Sequence, residues 1–320
     1  MEKEEGQEGV VVRKLTSAEE VRRTAWRFAA DEGWNPGKHD AEAFFAADPD
    51  GFFVAELKGE PVGTLSAVTY GKTFGFLGLY VVKPEHRGRG FGIAMWKKAM
   101  EYLQQEKDRV IGLDGVLAQE ANYRRSGFSS YYMHIRYQAT VQHLITYSSS
   151  SDVMEGNGFH LKPCTASLME QVEAYDRQCF PGPRTAFLQK WLYAPDSVSL
   201  VAFSKEEGEG EAIRGYGTIR ASLGGYRVGP LFADSKEVAK ALLLALASSL
   251  SSSPSSFSSS ELLNAVVSVD VSEANEEAEK MAKDELGMVD VFRCVRMYHG
   301  GKRPQHALHK VFACTTLELG

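Results

Sequence analysis

The sequence predicts an α+β fold, with a mixed, mostly antiparallel sheet and flanking helices, built twice along the chain. Three observations support this prediction. A buried strand, a glycine-rich loop and an amphipathic helix follow one another over residues 75–103. The strand and helix patterns around that unit return in the same order after a serine-rich stretch near residue 150. A chain of 320 residues with 43% hydrophobic content can bury two cores.

The first half reads as a strand, two helices, three strands, a helix, a strand, a helix and a strand. Thr16 and Glu19 predict a capping box that opens the first helix, and Pro36 with Gly37 break the chain after it. The predicted strands cover residues 10–14, 52–58, 61–70, 75–82, 109–113 and 131–138, and the predicted helices cover residues 16–30, 41–47, 93–103 and 118–126.

The second half repeats this order. Its predicted strands cover residues 159–163, 198–203, 215–221, 225–232, 263–269, 291–298 and 310–317, and its helices cover residues 165–179, 186–192, 235–248 and 273–286. We expect a first domain at residues 10–145, a serine-rich linker at 146–157 and a second domain at 158–320. Residues 1–9 are predicted to be disordered, and the serine tract 248–260 is predicted to be a flexible surface insertion. Residues 205–211 are read as the acidic loop of a hairpin.

Composition excludes several classes of protein. The formal net charge is -6 and the basic residues are scattered among acidic ones, so we expect no nucleic-acid partner. No stretch approaches the roughly 18 apolar residues of a membrane helix, and the start MEKEEGQEG is unlike a signal peptide, so we expect a cytoplasmic protein without a membrane partner. The cysteines lack metal-ligand spacing and predict buried, reduced thiols and no metal: Cys164, Cys179, Cys294 and Cys314.

The loop between the central strand and its helix has the features of an anion site. Gly88, Gly90 and Gly92 remove side chains at alternate positions, which lets backbone N–H groups approach a ligand. The helix N-terminus adds unpaired donors, and Arg87 and Arg89 add two positive charges. The ligand implied is a pyrophosphate. A turn chosen only for tightness would explain the glycines but not the arginines.

This stretch resembles the acetyl-CoA site of the GNAT superfamily of acyl-CoA N-acyltransferases. The superfamily pattern V-x-P-x-x-R-G-x-G-x-G is matched without a gap by Val82, Pro84, Arg87, Gly88, Gly90 and Gly92. The resemblance covers about residues 10–140 and implies acetyl-CoA as co-substrate. It assigns the co-substrate to Tyr80, Val81, Val82, Arg87, Gly88, Arg89, Gly90, Phe91, Gly92, Ile93 and Asn122.

The resemblance also implies a chemistry. In the superfamily a bulge in the central strand offers backbone N–H groups to the thioester carbonyl, which here falls around residues 80–82. Tyr123 stands where the superfamily places its general acid, four residues before Gly127. The alternative is that Tyr123 only packs in the core.

A base is needed to deprotonate an amine acceptor. Asp114, at the end of the strand that follows the central helix, is the first candidate, and Glu32 and Asp40 come next. The alternative for each is a turn or capping carboxylate, which is the commoner use of Asp beside Gly. Trp34 and Asn35, on the loop between the first two helices, are predicted to contact the acceptor, although Trp34 could instead close the end of the core.

The second half departs from the pattern at its counterpart loop, GPLFADSKEV. Pro230 removes a backbone donor, Asp234 adds a negative charge, and no arginine is present. We therefore expect this half not to bind acetyl-CoA. The arrangement resembles tandem members of the superfamily in which a divergent second domain walls the substrate cleft.

The sequence thus predicts an N-acetyltransferase that joins an acetyl group to the primary amine of a small molecule by direct attack in a ternary complex. Two alternatives stay open. One is a protein acetyltransferase acting on lysine or an N-terminus, and the other is a regulator that binds acyl-CoA without catalysis. The acceptor's identity, the acyl chain and the oligomeric state have no signal in the sequence.

Overall fold

A single sheet runs through both halves of the chain. The computed structural model describes residues 9–148, 158–204, 212–252 and 259–320, and thirteen strands of these ranges join the sheet. The strands are β1 (Val10–Lys14), β2 (Phe52–Leu57), β3 (Glu60–Tyr70), β4 (Phe74–Val82), β5 (Val110–Val116), β6 (Phe128–Thr140), β7 (Phe159–Pro163), β8 (Ser197–Ser204), β9 (Ile213–Ser222), β10 (Gly225–Ala233), β11 (Val266–Ser272), β12 (Val289–His299) and β13 (Val311–Ala313).

Helices cover both faces of the sheet. The first, α1, runs without interruption through Ala18–Val21, the π-helical Arg22–Trp26 and Arg27–Asp31. The others are α2 (Asp40–Ala47), α3 (Phe91–Leu103), α4 (Glu120–Arg125), α5 (Val141–Ser148), α6 (Met169–Cys179), α7 (Thr185–Trp191), α8 (Lys236–Ser249), α9 (Ser259–Asn264) and α10 (Glu276–Lys280, continued by the π-helical Met281–Glu285). No helix of the described ranges is long and apolar enough to cross a membrane.

The two halves exchange strands. The sheet order is β1-β2-β3-β4-β5-β12-β6-β11-β10-β9-β8-β7, and β13 pairs with β10 off this path. Strand β12 of the second half lies between β5 and β6 of the first, and β6 lies between β12 and β11 of the second. Only the pairs β4–β5 and β10–β11 are parallel among the described strands. The mixed, mostly antiparallel fold is thereby confirmed, but the two sheets expected from the sequence are continuous.

Three hydrophobic clusters form around this sheet. Helix α3 packs on one face of the first half through Met95, Ala99 and Leu103. Helix α8 does the same in the second half. The third cluster is shared, because α1 and α2 of the first half meet α6 and α7 of the second, with Phe44 stacked 6.2 Å from Trp191. The halves therefore bury the faces opposite α3 and α8 against each other.

The start of α1 differs from the predicted capping box by one residue. Ser17 is the N-cap, and its hydroxyl accepts a hydrogen bond from the Glu20 N–H at 3.2 Å. The Glu20 carboxylate in turn accepts from the Thr16 N–H at 2.6 Å. Glu19 points outward to Arg23, so the predicted pairing of Thr16 with Glu19 is wrong.

Several segments predicted from the sequence lie partly outside the described residues. Helix α5 takes the first residues of the predicted linker, and residues 149–157 lie outside the described ranges, as do residues 1–8 and the acidic loop 205–211. In the serine tract, α8 continues to Ser249 and α9 begins at Ser259, while residues 253–258 lie outside the described ranges.

The corrected cap can be tested by unfolding in urea. Ser17→Ala should lower the free energy of unfolding by about 1 kcal/mol, because the Glu20 N–H loses its acceptor. Glu19→Ala should change it by less than about 0.5 kcal/mol, since it removes only an exposed ion pair. A larger loss of stability in Glu19→Ala than in Ser17→Ala would instead support the capping box of Thr16 and Glu19 that the sequence predicts.

Candidate active site

The central strand of the first half parts from its parallel neighbour midway. Strands β4 and β5 pair from Phe74 with Val110 to Leu77 with Leu113, where their ladder ends. Directly beyond, β4 contains a bulge, because three steps along β4 from Gly78 match two steps along β3. Leu79 sits in this bulge with φ +47°, a backbone region that side-chain-bearing residues rarely adopt. A split with an irregular edge therefore opens between β4 and β5, at the start of the stretch 80–82 named from the sequence.

The glycine loop leads from this split into α3. Gly88 and Gly90 have φ of +74° and +80°, which favours glycine at both positions. Gly90 is the N-cap of α3 and has no side chain to bond the first turn. The backbone N–H groups at Phe91, Gly92 and Ile93 are therefore available to an anion at the positive end of the helix.

Both arginines of the loop are held near it. The Arg87 Nε donates to the Val82 carbonyl at 2.8 Å, and its guanidinium also bonds the Glu32 carboxylate at the end of α1. The Arg89 guanidinium lies 4.8 Å from the Phe91 ring centre. An incoming phosphate would compete with Glu32 for Arg87, so this candidate base is already the counter-ion of the loop.

Tyr123 lies over β5 and packs against α3. A Cβ at Gly115 would come within 2.8 Å of the Tyr123 ring, so glycine is needed beneath it. Trp96 of α3 lies between Tyr123 and Tyr80, with ring centres 5.9 Å and 5.8 Å away. Burial, with a smaller effect of Tyr80, raises the pKa of Tyr123 to about 12. The phenol is thus protonated at neutral pH, as a proton donor must be.

Asn122, the neighbour of Tyr123, is exposed and makes side-chain hydrogen bonds with Gln119 and Arg125 on its own helical segment. Co-substrate binding by Asn122 stays a prediction.

The loop carrying Trp34 and Asn35 is docked on the second half. The Asn35 side chain accepts from the Gly224 N–H at 2.7 Å, in the turn between β9 and β10. The Trp34 carbonyl accepts from Arg136 at 3.5 Å. These contacts use the loop to join the halves, and acceptor binding by Trp34 and Asn35 stays a prediction.

Asp114 is buried in an ion pair with the exchanged strand. Arg296 of β12 donates to both of its oxygens at 2.7 Å, and His134 of β6 lies 3.0 Å from one of them. Burial alone would raise the pKa of Asp114, but Arg296 and His134 bring it down to about 2. Both oxygens already accept hydrogen bonds, so these contacts describe an anchor of β12 and do not support a general base.

A second ion pair repeats this arrangement in the other half. Asp270 of β11 accepts from Arg136 of β6 at 2.6 and 2.9 Å, in the same register that Asp114 has with Arg296. Arg227 adds a further bond to Asp270 at 2.8 Å. The sequence carried a signal for both pairs, since His134-x-Arg136 and Cys294-x-Arg296 stand at matching places in the two exchanged strands.

Asp40, the third candidate base, is also paired across the halves. It accepts from Arg220 of β9 at 2.8 Å, and both side chains are buried. Asp40 therefore fixes the start of α2 to the second half.

Asp114, His134 and Cys294 form a cluster of possible metal ligands, because their ligand atoms lie within 4.8 Å of one another. The donor set does not fit a cation. Arg296 holds both carboxylate oxygens, and burial raises the pKa of the Cys294 thiol well above its ordinary value, whereas a metal needs the thiolate.

In the second half the corresponding split is filled by the chain itself. Parallel pairing of β10 with β11 ends at Val228 and Val269. Strand β13 then pairs with β10 at Leu231 and Phe232, and the Cys314 N–H donates to the Asp270 carbonyl of β11 at 3.0 Å. The helix that follows, α8, is capped by the Ser235 hydroxyl, which bonds the Val238 N–H. The split between β10 and β11 is therefore filled and the start of α8 is capped, whereas the split and the start of α3 in the first half are open.

Residues 314–320 continue from β13 to the first half. A Cβ at Gly229 would come within 2.4 Å of the Thr315 carbonyl oxygen, and one at Gly78 within 1.8 Å of the Glu318 carbonyl oxygen. Tyr70 donates to the Leu319 carbonyl at 2.9 Å. The segment therefore covers β4 on the face opposite α3.

Comparisons with known proteins agree for both halves. A model described as the acetyltransferase (GNAT) family matches residues 17–128, and one described as an acetyltransferase (GNAT) domain matches residues 172–313. Holothin acyltransferase from Pseudoalteromonas sp. (strain SANK 73390) is 29% identical over 294 residues, which cover 92% of this chain and 89% of that protein.

Two solved structures share the fold over most of the chain. A Pyrococcus horikoshii protein described as a candidate acetyltransferase has a TM-score of 0.71 and 19% identity, covering 100% of this chain and 99% of its own. A tandem GNAT protein from the clavulanic acid biosynthesis pathway has a TM-score of 0.61 and 15% identity, covering 92% and 99%.

The role of Asp114 can be tested by Asp114→Asn. The variant should lose about 3–5 kcal/mol of unfolding free energy in urea at pH 7, because Arg296 is left buried without a counter-charge. The pKa of Asp114 is depressed in the folded state, so its contribution is present above about pH 4 and fades as the pH falls toward 2. The variant should therefore depend less on pH in this window.

Asp108→Asn is the matched control, since the Asp108 carboxylate is exposed and pairs only with Lys302 at 3.3 Å among the described contacts. It should change stability by at most about 1 kcal/mol. Equal losses in the two variants would remove the anchoring role from Asp114.

Proposed function

Since the chain belongs to the GNAT superfamily of acyltransferases, with two tandem domains, we propose that its first half is an acetyl-CoA-dependent N-acetyltransferase for a small primary amine. One observation carries the proposal. The split after Leu77, the uncapped start of α3 and the protonated phenol of Tyr123 lie together on the first half. Each serves one part of acyl transfer, namely the thioester, the pyrophosphate and the leaving sulfur.

The co-substrate would be held by backbone groups and by two charges. The N–H groups of residues 91–93 and the guanidinium of Arg87 suit the pyrophosphate, with Arg87 released from Glu32. The edge of β4 from Tyr80 to Val82 suits the pantetheine arm, and an N–H at the bulge suits the thioester oxygen.

The reaction forms a C–N bond and breaks a C–S bond. The amine nitrogen attacks the thioester carbon, and Tyr123 hydrogen-bonds the sulfur and gives it a proton as it leaves. Because burial makes Tyr123 a weaker acid than a free phenol, its proton passes late, when the sulfur carries most of the negative charge. The adduct loses one N–H proton to water, and water returns a proton to Tyr123, so the products are an amide and a free thiol.

The second half has a different task in this proposal. Strand β13 takes the place that a pantetheine arm would need, and Ser235 satisfies the helix start, so we assign one acyl-CoA site to each chain. Residues 314–320 narrow the acceptor side of β4, which favours a small acceptor over a protein tail. The relative named holothin acyltransferase supports a small acceptor as well. A cytoplasmic location stays a prediction from the sequence.

Activity can be tested by thiol release from acetyl-CoA with a panel of amines. Tyr123→Phe should lower kcat by roughly 10²-fold and leave the KM for acetyl-CoA nearly unchanged, because it removes only the proton donor. Tyr193→Phe, an exposed tyrosine in the second half, is the control and should keep full activity. Full activity of Tyr123→Phe would contradict the role of proton donor and indicate that Tyr123 only packs in the core.

The phosphate loop can be tested in the same assay. Arg87→Ala should raise the KM for acetyl-CoA about 10-fold or more, since a charge-assisted contact is worth about 1.5–3 kcal/mol. Arg22→Ala removes a half-exposed arginine from α1 and should leave that KM unchanged. An equal rise of the KM for acetyl-CoA in both variants would indicate that the net charge of the protein, and not the loop, determines binding.

The number of sites can be counted by titration calorimetry with coenzyme A. One molecule should bind each chain, and binding should be lost when Arg87 and Arg89 are both changed to alanine. Two molecules per chain, or one that binds the double variant as tightly as the wild type, would contradict a single site in the first half.

A further inference from the structure

The carboxylates that could deprotonate an amine acceptor are committed to arginines. Asp114 bonds Arg296, and the other two candidates, Glu32 and Asp40, bond Arg87 and Arg220. An alkylammonium has a pKa near 10 and must lose a proton before it attacks. Asp114 and Asp40 are therefore not free to take that proton, and Glu32 becomes free only when Arg87 moves to the pyrophosphate, at the phosphate end of the site.

A cleft between the halves has the size and lining of a small-molecule site. Its volume is about 360 Å³, within the range of ligand pockets. Tyr131 and Tyr132 of β6 and Tyr298 of β12 form one wall, and residues 303–308 face them. The rings of Tyr131 and Tyr298 meet edge to face at 5.2 Å, which suits a flat aromatic partner.

The cleft continues inward as a narrow cavity. The two spaces share Tyr132, His306 and Leu308, and the inner one has a volume of about 20 Å³. That volume admits a group the size of a water molecule, such as an amino group, but not a ring. The inner cavity is bordered by Arg296, whose guanidinium lies 4.8 Å from the Phe76 ring of β4 and bonds Asp114 next to the strand split.

Two polar atoms at the inner cavity lack a hydrogen-bond partner in the described structure. They are the Thr315 Oγ1 and the His306 Nδ1, and the Thr315 side chain is only 2% exposed. Burial, with a smaller effect of Arg296, lowers the pKa of His306 to about 4, so its ring is neutral at pH 7. Buried polar groups of native proteins nearly always have partners, so these atoms indicate a polar ligand group.

The charges around the two spaces disfavour a cation. Glu273 stands exposed at the mouth and accepts from the Met133 N–H at 3.1 Å. An ammonium group further inside would lie beside the Arg296 guanidinium. The titratable and charged groups that line either the cleft or the inner cavity are Tyr131, Tyr132, Tyr298, Glu273, Arg303, His306, His134, Arg296, Cys179 and Cys314.

From this geometry we propose that the acceptor is a planar aromatic amine, uncharged at neutral pH, whose ring lies among the tyrosines of the cleft and whose amino group enters the inner cavity. The proposal rests on the acetyltransferase function proposed above and names its acceptor class. A neutral amine needs no base before attack. Its nitrogen forms the new C–N bond, the C–S bond breaks, Tyr123 protonates the sulfur, and the N–H proton of the adduct passes to water. The products are an amide and a free thiol.

The test compares aniline, which is neutral at pH 7, with benzylamine, which has the same ring but is cationic. Thiol release from acetyl-CoA by the full chain should be at least 10-fold more efficient with aniline at pH 7, measured as kcat/KM. With aniline kcat/KM should stay level between pH 7 and 9, whereas with benzylamine it should rise with pH as the ammonium loses its proton. A preference for benzylamine or for lysine analogues would overturn the proposal.

Variants locate the acceptor. Tyr131→Ala should raise the KM for aniline at least fivefold without changing the KM for acetyl-CoA, and Thr315→Val, nearly the same shape, should do so as well. Tyr193→Ala is the matched control, because Tyr193 and Tyr131 are similarly exposed at 41% and 36%. Unchanged aniline kinetics in both cleft variants would overturn this site.

The two proposals fail in different ways. If the first half is not an acetyltransferase, no amine of either class will release thiol. If only the acceptor class is wrong, cationic amines will release thiol readily, Tyr123→Phe will slow them, and Tyr131→Ala will leave them unaffected.

Discussion

Two reciprocal buried ion pairs define how this chain is assembled. Asp114 with Arg296, and Asp270 with Arg136, each join a parallel strand of one half to the exchanged strand of the other. Desolvation offsets much of the attraction in a buried pair, so its main effect is on register. A strand shifted by one residue would bury an arginine and an aspartate without partners. The pairs therefore select one alignment of the exchanged strands, and the common core of α1, α2, α6 and α7 follows from that alignment.

The exchange makes the halves unequal although their folds match. Each half has a central strand that leaves its parallel neighbour, after four paired positions in the first half and three in the second. In the first half this leaves an open split beside the uncapped start of α3. In the second half β13 fills the corresponding split and Ser235 caps α8. Residues 314–320 then carry the chain from Gly229 across to Gly78. The second half thus borders the first half and covers one face of β4 with residues 314–320.

The sequence predicts local features well and long-range pairing poorly. The order of elements and the glycine loop both depend on patterns a few residues long. The partners of Asp114 and Asp270 lie 182 and 134 residues away, and no periodicity links them. In the sequence alone, an aspartate at a strand end looks the same whether its partner is an acceptor or an arginine, so the sequence predicts a base where the structure has an ion pair. The matching His134-x-Arg136 and Cys294-x-Arg296 in the two halves are the sequence signal for these pairs, and they do not name the aspartate partners.

The central claim is that acyl-CoA binds the first half and not the second. Hydrogen exchange of the full chain, with and without coenzyme A, tests it most directly because it reports both helix starts in one experiment. The account predicts slower exchange of the amides at residues 88–93 and no change at residues 230–238. Protection at residues 230–238 equal to that at 88–93, or protection there alone, would contradict it.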